Sequence, residues 1–154
     1  MTEELREFLA TFLISMAPVV ELRGGLPFGI AQGLPYPVAL VTAILGNMVP
    51  VPFIIVYIRR VFSWLRRRSK RLNHLVTRLE RRARTKGHIV NKYRFFGLLI
   101  LVAIPLPGTG AWTGALVAAF LDMRLKQAVP AIFLGVCFAA TIMTAVTFGV
   151  ISIL

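Results

Sequence analysis

Three stretches of this 154-residue chain contain no Asp, Glu, Lys or Arg: Leu26–Ile58, Phe95–Leu121 and Gln127–Leu154. Each exceeds the ~20 residues that a helix needs to cross ~30 Å of hydrocarbon. The chain therefore reads as an all-α integral membrane protein. Its composition agrees: 57% of residues are hydrophobic and the mean hydropathy is +0.77, whereas a soluble domain sits near 45–50% apolar.

The charges are segregated. Fourteen of the 18 Lys and Arg residues fall between Arg59 and Arg94, where Glu80 is the only acid. A net charge of +12 would suggest nucleic acid in a soluble protein. Here the basic block directly follows one hydrophobic segment and precedes another, the pattern of a cytoplasmic loop under the positive-inside bias. No nucleic-acid partner is expected. The single cysteine, Cys137, lies in an apolar run and supports neither a disulfide framework nor a metal cluster. Glu3, Glu4 and Glu7 give the N-terminus the wrong charge for a secretory signal, so the chain is read as mature protein from Phe8 onward.

Prolines and glycines decide how the apolar segments run. Residues 1–36 hold a 13-residue uncharged piece, Phe8–Val20, then Glu21, Arg23, Gly24, Gly25 and Pro27. Ten helical residues span only ~15 Å, half a bilayer, and proline and paired glycines disfavour a continuous helix. The economical reading is a re-entrant hairpin with a polar tip; one kinked spanning helix is the alternative. Residues 37–58 form a full span loosened by Pro50 and Pro52. Residues 59–94 form a basic amphipathic helix, with Val61, Leu65, Leu72, Leu75, Val76, Leu79 and Ala83 at three- and four-residue spacing. It either lies on anionic lipid or covers the membrane domain, or it merely fixes orientation, and Gly87 is expected to end it.

In residues 95–123 the centre is broken by Pro105, Pro107, Gly108 and Gly110, and both flanks are basic: Lys92 and Arg94 before, Arg124 and Lys126 after. A hairpin keeps all four on one side. Residues 127–151 form a second full span with small and hydroxyl residues suited to close packing. The order is hairpin, span, basic loop, hairpin, span. Ala17-Pro18 and Ile104-Pro105 each precede a polar turn, and Gly46 and Gly135 follow their prolines by 28 and 30 residues. With the charge pattern, this gives an inverted repeat as in many secondary transporters.

An ionised group in hydrocarbon costs ~2.5–3.5 kcal/mol or more, so Glu21 and Arg23 should face protein or water. Either they pair with each other or with backbone and hold the turn, or Glu21 exchanges a proton while Arg23 binds an anionic headgroup through its planar fork. The turn Pro107-Gly108-Thr109-Gly110 should present the N-terminus of the following half-helix, with Thr109 as its cap or as a ligand hydroxyl. That is a phosphate site, or simply a hairpin turn. Trp112, followed by Thr113, lines the pathway or packs. Asn47 and Gln32 read as interhelical hydrogen bonds. His74 and His88 lack metal-ligand spacing, and the absence of a nucleophile–base set, metal motif or P-loop argues against an enzyme.

Pro18–Pro27 and Ala103–Gly114 resemble the signature turns of the small multidrug export protein family, which is distantly similar to the DedA (VTT-domain) superfamily. The resemblance covers most of the chain. It implies the inner membrane of a prokaryote, two opposed re-entrant hairpins, an embedded acid at Glu21 with Arg23 as its neighbouring cation, and no cofactor beyond a coupling proton or sodium ion. DedA proteins carry arginines around the second proline turn, and Leu101–Leu121 has none. Three functions are expected to compete. The first is transport of an amphiphilic lipid-phosphate-like anion. The second is proton-coupled export of cationic drugs, and the third is a scaffold binding anionic lipid headgroups. Four membrane segments are few to enclose a lipid, which favours a homo-oligomer.

Overall fold

The computed structural model describes residues 2–153; the side chains of residues 88–92, including those of His88 and Lys92, and that of Ile151 lie outside the description. The described residues form eight helices: α1 (Glu3–Met16), α2 (Glu21–Ala31), α3 (Tyr36–Met48), α4 (Pro50–Arg68), α5 (Lys70–Lys92), α6 (Arg94–Ala103), α7 (Ala111–Phe120) and α8 (Leu125–Ile153). Two runs are long and apolar enough to cross a membrane: Tyr36–Arg68, which joins α3 and α4, and Leu125–Val150 in α8.

The short helices follow the breakers in the sequence. Residues 17–20, with Pro18 among them, separate α1 from α2, and residues 104–110, with Pro105 and Pro107, separate α6 from α7. The 10 residues of α6 and the 10 of α7 each extend only ~15 Å. Pro27 and Pro130 lie within α2 and α8.

Two departures from the sequence reading concern the basic segment. The membrane helix does not end at Ile58: it continues to Arg68, because Pro50 occupies the first turn of α4, where a missing N–H costs nothing, and Val49 keeps helical angles. The break comes instead at Ser69, which is extended and whose hydroxyl accepts from the Arg71 N–H at 3.3 Å. Gly87 likewise does not end α5, which runs on to Lys92. It is buried, and its face meets Leu121. Val76 and Ala83 share that buried stripe, while Leu75, expected on the apolar face, is exposed. The basic helix thus folds back on α4, through an Arg66–Glu80 ion pair, and packs over α6 and α7.

Contacts recur at a fixed spacing. A Cβ on Gly46 would run into the Phe12 carbonyl oxygen and lie 3.1 Å from Ser15 Cβ; one on Gly135 would lie 2.8 Å from the Leu99 oxygen and 2.7 Å from Val102 Cβ. Gly25 meets Ser15, and Gly114 meets Val102 at 2.5 Å. Gly46 and Gly135 differ by 89 positions, as do Gly25 and Gly114, while Phe12 and Leu99, like Ser15 and Val102, differ by 87. The α1–α2–α3 and α6–α7–α8 triplets therefore pack alike, with two extra residues in the second tip. The triplets are joined by Tyr36, whose hydroxyl lies 2.6 Å from that of Thr144 and whose ring meets Phe148 edge-on. The core is a continuous cluster of small and branched residues, Ala39, Ala43, Val51, Leu98, Ala115, Ile132 and Val136 among them.

Candidate functional site

The tips of the two helical pairs meet, and polar side chains make the junction. Glu21 begins α2 with φ +50°, and Val19 just before it has φ +80°. Left-handed angles cost a residue with a side chain about 1–2 kcal/mol, so the tip is held in a conformation that packing must support. The result is a buried carboxylate, 5% exposed, whose Oε1 accepts the Trp112 backbone N–H at 3.1 Å. Trp112 is the second residue of α7, so Glu21 occupies the positive N-terminal end of that helix. Gly110, with φ +128°, is the neighbour that lets the carboxylate approach: a Cβ there would overlap Oε2.

Arg23 is turned away from Glu21. Its guanidinium donates to the Leu106 carbonyl, to the Thr109 carbonyl at 3.1 Å and to Thr109 Oγ1 at 2.8 Å, and no Glu21–Arg23 ion pair forms among the described residues. Trp112 makes a third tie, its indole N–H donating to the Met16 carbonyl at 3.0 Å. The second turn is also held from the side. The Gly108 carbonyl accepts from Lys86 Nζ of α5 and from Thr113 Oγ1 at 3.0 Å.

The expectation that Thr109 caps α7 needs correction. The cap residue is Gly110, without a side-chain bond. The Thr109 hydroxyl instead turns into its own loop, 2.7 Å from the Ile104 and Leu106 carbonyls, because it closes the Pro105–Pro107 bend. Glu21, 91 residues before Trp112, supplies the cap. Gly24 and Gly25 pack against Val20 and Ser15, and Pro27 sits half-buried in α2. Of the polar residues read as interhelical bonds, Gln32 is exposed at the end of α2, whereas Asn47 is 2% exposed and its Oδ1 has no partner among the described residues. Lys86 was not singled out by sequence: it is one cation among 14 in the block, with nothing local to mark it.

Lys86 also gives the site a pH signature. Burial first, then the charges of Arg82 and Arg23, hold its ammonium below the ordinary lysine value of 10.5. The unfolded chain then binds more protons than the folded one, so this group's contribution to stability rises as pH climbs from the lowered value to 10.5. Thermal unfolding of wild type and Lys86→Met in detergent should therefore show the wild type gaining on the variant across that alkaline window.

A family model described as "Putative small multi-drug export protein" matches residues 21–142, which run from Glu21 at the start of α2 through the second tip and into α8. Comparison with curated proteins and with solved structures returned no match.

Proposed function

Since the chain belongs to the small multi-drug export protein family, we propose that it is a proton-coupled exporter of small amphiphilic cations, in which Glu21 carries the proton and the substrate in turn. The observation behind this reading is the buried Glu21 carboxylate that bridges the two helical pairs through the Trp112 N–H. A charge at a helix N-terminus is worth about 0.3–1 kcal/mol, and up to ~2 when partly buried. Neutralising Glu21 with a proton or a cation removes that attraction and loosens the junction, so occupancy of one carboxylate sets how tightly the tips hold together. Arg23 directs its guanidinium to the oxygens of Leu106 and Thr109, which leaves the Glu21 carboxylate without an ion-pair partner among the described residues.

In the membrane, the two pairs are placed as re-entrant hairpins entering from opposite faces, an inverted repeat with α3–α4 and α8 as the spans. The 59–94 segment is cytoplasmic, both termini are outside, and the membrane is the prokaryotic plasma membrane. The equivalent packing of the two triplets and the basic flanks of the second pair support this arrangement. Phe133 and Phe138 leave an apolar face on α8 for lipid or for a second copy in a homo-oligomer.

A second reading, transport of a lipid-phosphate-like anion, keeps one observation in its favour. Arg23 and Lys86 converge on the 106–109 turn. It requires Glu21 to vacate the α7 N-terminus before phosphate enters. Proteoliposomes with an imposed pH gradient separate the two. Glu21→Gln should reduce efflux of a cationic dye to that of empty vesicles, with Arg23→Ala retaining it. Dye efflux that survives Glu21→Gln sinks the export reading; lipid-phosphate translocation that disappears in Arg23→Ala establishes the alternative.

A further inference from the structure

Every buried polar side chain among the described residues belongs to the first triplet: Thr11, Ser15, Glu21, Thr42 and Asn47. Its packing equivalents in the second triplet are apolar. Displaced by 87, Thr11 and Ser15 become Leu98 and Val102; displaced by 89, Thr42 and Asn47 become Ala131 and Val136, and Glu21 becomes Gly110. Since the two triplets pack alike, the polarity is not a requirement of the fold.

These residues form a column. Glu3, Glu7, Thr11 and Ser15 recur every four residues on α1, so they share one face. The Ser15 hydroxyl donates to the Thr11 carbonyl at 2.8 Å, and Thr11 packs at 2.9 Å on the position a Gly29 Cβ would take. Gly29 in turn meets Ala39 at 3.2 Å. The short turn after Ala31 makes α2 and α3 antiparallel, so residues whose numbers sum alike lie level. Gly29 with Ala39 sets that sum, and Glu21 with Asn47 satisfies it. Asn47 thus stands at the depth of Glu21, with Thr42 between it and the end of the pair that carries the N-terminus.

Two atoms in this column, Thr11 Oγ1 and Asn47 Oδ1, are fully buried and have no partner among the described residues. An unmet buried polar atom costs about 1–3 kcal/mol, and the usual remedy is a bound water. Asn47 Oδ1 is an acceptor only and therefore calls for a donor.

We infer that a file of ordered water lined by Glu7, Thr11, Ser15, Thr42 and Asn47 delivers protons to Glu21 from the α1 N-terminal end alone. The acids at its mouth favour cations, whereas Arg94 stands at the equivalent of Glu7 in the second triplet, and the apolar residues beyond it close that route. At the inner end Glu21 feels Arg23 from its own helix; α7 presents Gly110, Ala111 and Trp112, and α5 presents Lys86 behind Gly108. The inference rests on the reading of Glu21 as the proton carrier, but its own readout is hydration, separate from transport.

Water-edited magic-angle-spinning NMR of the isotope-labelled full chain in lipid bilayers measures magnetisation passing from water to each residue. Build-up at Thr11, Ser15 and the Asn47 side-chain amide should be several-fold faster than at Leu98, Val102 and Val136. Asn47→Leu should remove the advantage at Ser15, and Thr11→Val provides the same check should the first variant fail to fold. Equal build-up in both columns, or a slow first column, overturns the inference. A wet column with dye efflux intact in Glu21→Gln would defeat the export reading alone; a dry column with efflux lost in that variant would defeat the water file alone.

Discussion

Gly110→Ala is expected to lower stability by about 2–6 kcal/mol and to abolish transport. Two effects add. The backbone at φ +128°, ψ −170° lies in a region that only glycine occupies freely, worth about 1–3 kcal/mol of strain. The new methyl also overlaps the Glu21 carboxylate, an overpacking cost of about 1–3 kcal/mol. For a chain of this size that corresponds to a fall in Tm on the order of 10 °C, read by circular dichroism in detergent. Repeating the substitution in a Glu21→Ala background separates the terms: the clash disappears and the strain stays. Gly108→Ala is the comparison, since its φ of +79° is also positive but its only near neighbour is the mobile end of Lys86 at 3.2 Å. It should cost less than half as much. If Gly110→Ala and Gly108→Ala prove equally mild, the tips do not meet as described.

The second large effect is expected where helices touch through glycine. Gly135→Val places its Cβ against the Leu99 carbonyl oxygen at 2.8 Å and Val102 Cβ at 2.7 Å, and a backbone oxygen cannot swing aside as a side chain can. α6 and α8 must separate, at about 3 kcal/mol. Gly46→Val should do the same to α1 and α3, against the Phe12 oxygen. The two interfaces share no residues, so the double variant should show the sum of the single losses to within about 0.5 kcal/mol. Gly149→Val, with nothing within 4 Å, should change stability by less than about 0.5 kcal/mol. Denaturation that ranks Gly149→Val with Gly135→Val would refute the equivalence of the two triplets.

What could be read in advance follows from how local each signal is. Proline and glycine act on their own backbone, so the breaks after Met16 and Ala103 and the brevity of α6 and α7 were legible from Pro18, Pro105 and Gly110. The similar spacing of Gly46 and Gly135 from their prolines was legible in the sequence, but the contacts they serve, on α1 and α6 two helices earlier, were not. Gly87 misled because a helical glycine costs only ~1 kcal/mol, less than α5 gains by burying Val76 and Ala83. The identity of the α7 cap was not legible. Glu21 and Trp112 are 91 residues apart, and the local candidate, Thr109, was claimed by its own turn. Arg23 was expected to pair with Glu21 or with backbone, or to bind a headgroup; backbone is what it meets, but which carbonyls was not legible, since they arise only when the tips come together. The orphaned Oδ1 of Asn47 was hidden because its depth depends on the α2–α3 register, which no short motif encodes.

The clamps on the second pair bear on how such a protein can move. Arg59 donates to the Ala119 carbonyl and pairs with Asp122 at 2.6 Å, Phe62 stacks on Phe120, and Lys86 reaches the opposite end at Gly108. α4 and α5 thereby grip α7 at both extremities, whereas α1 and α2 rest mainly on each other and on α3. Under the export mechanism proposed above, the basic half acts as a stator, and the stroke falls to the N-terminal pair, swinging on the residue 32–35 bend with Glu21 as the latch.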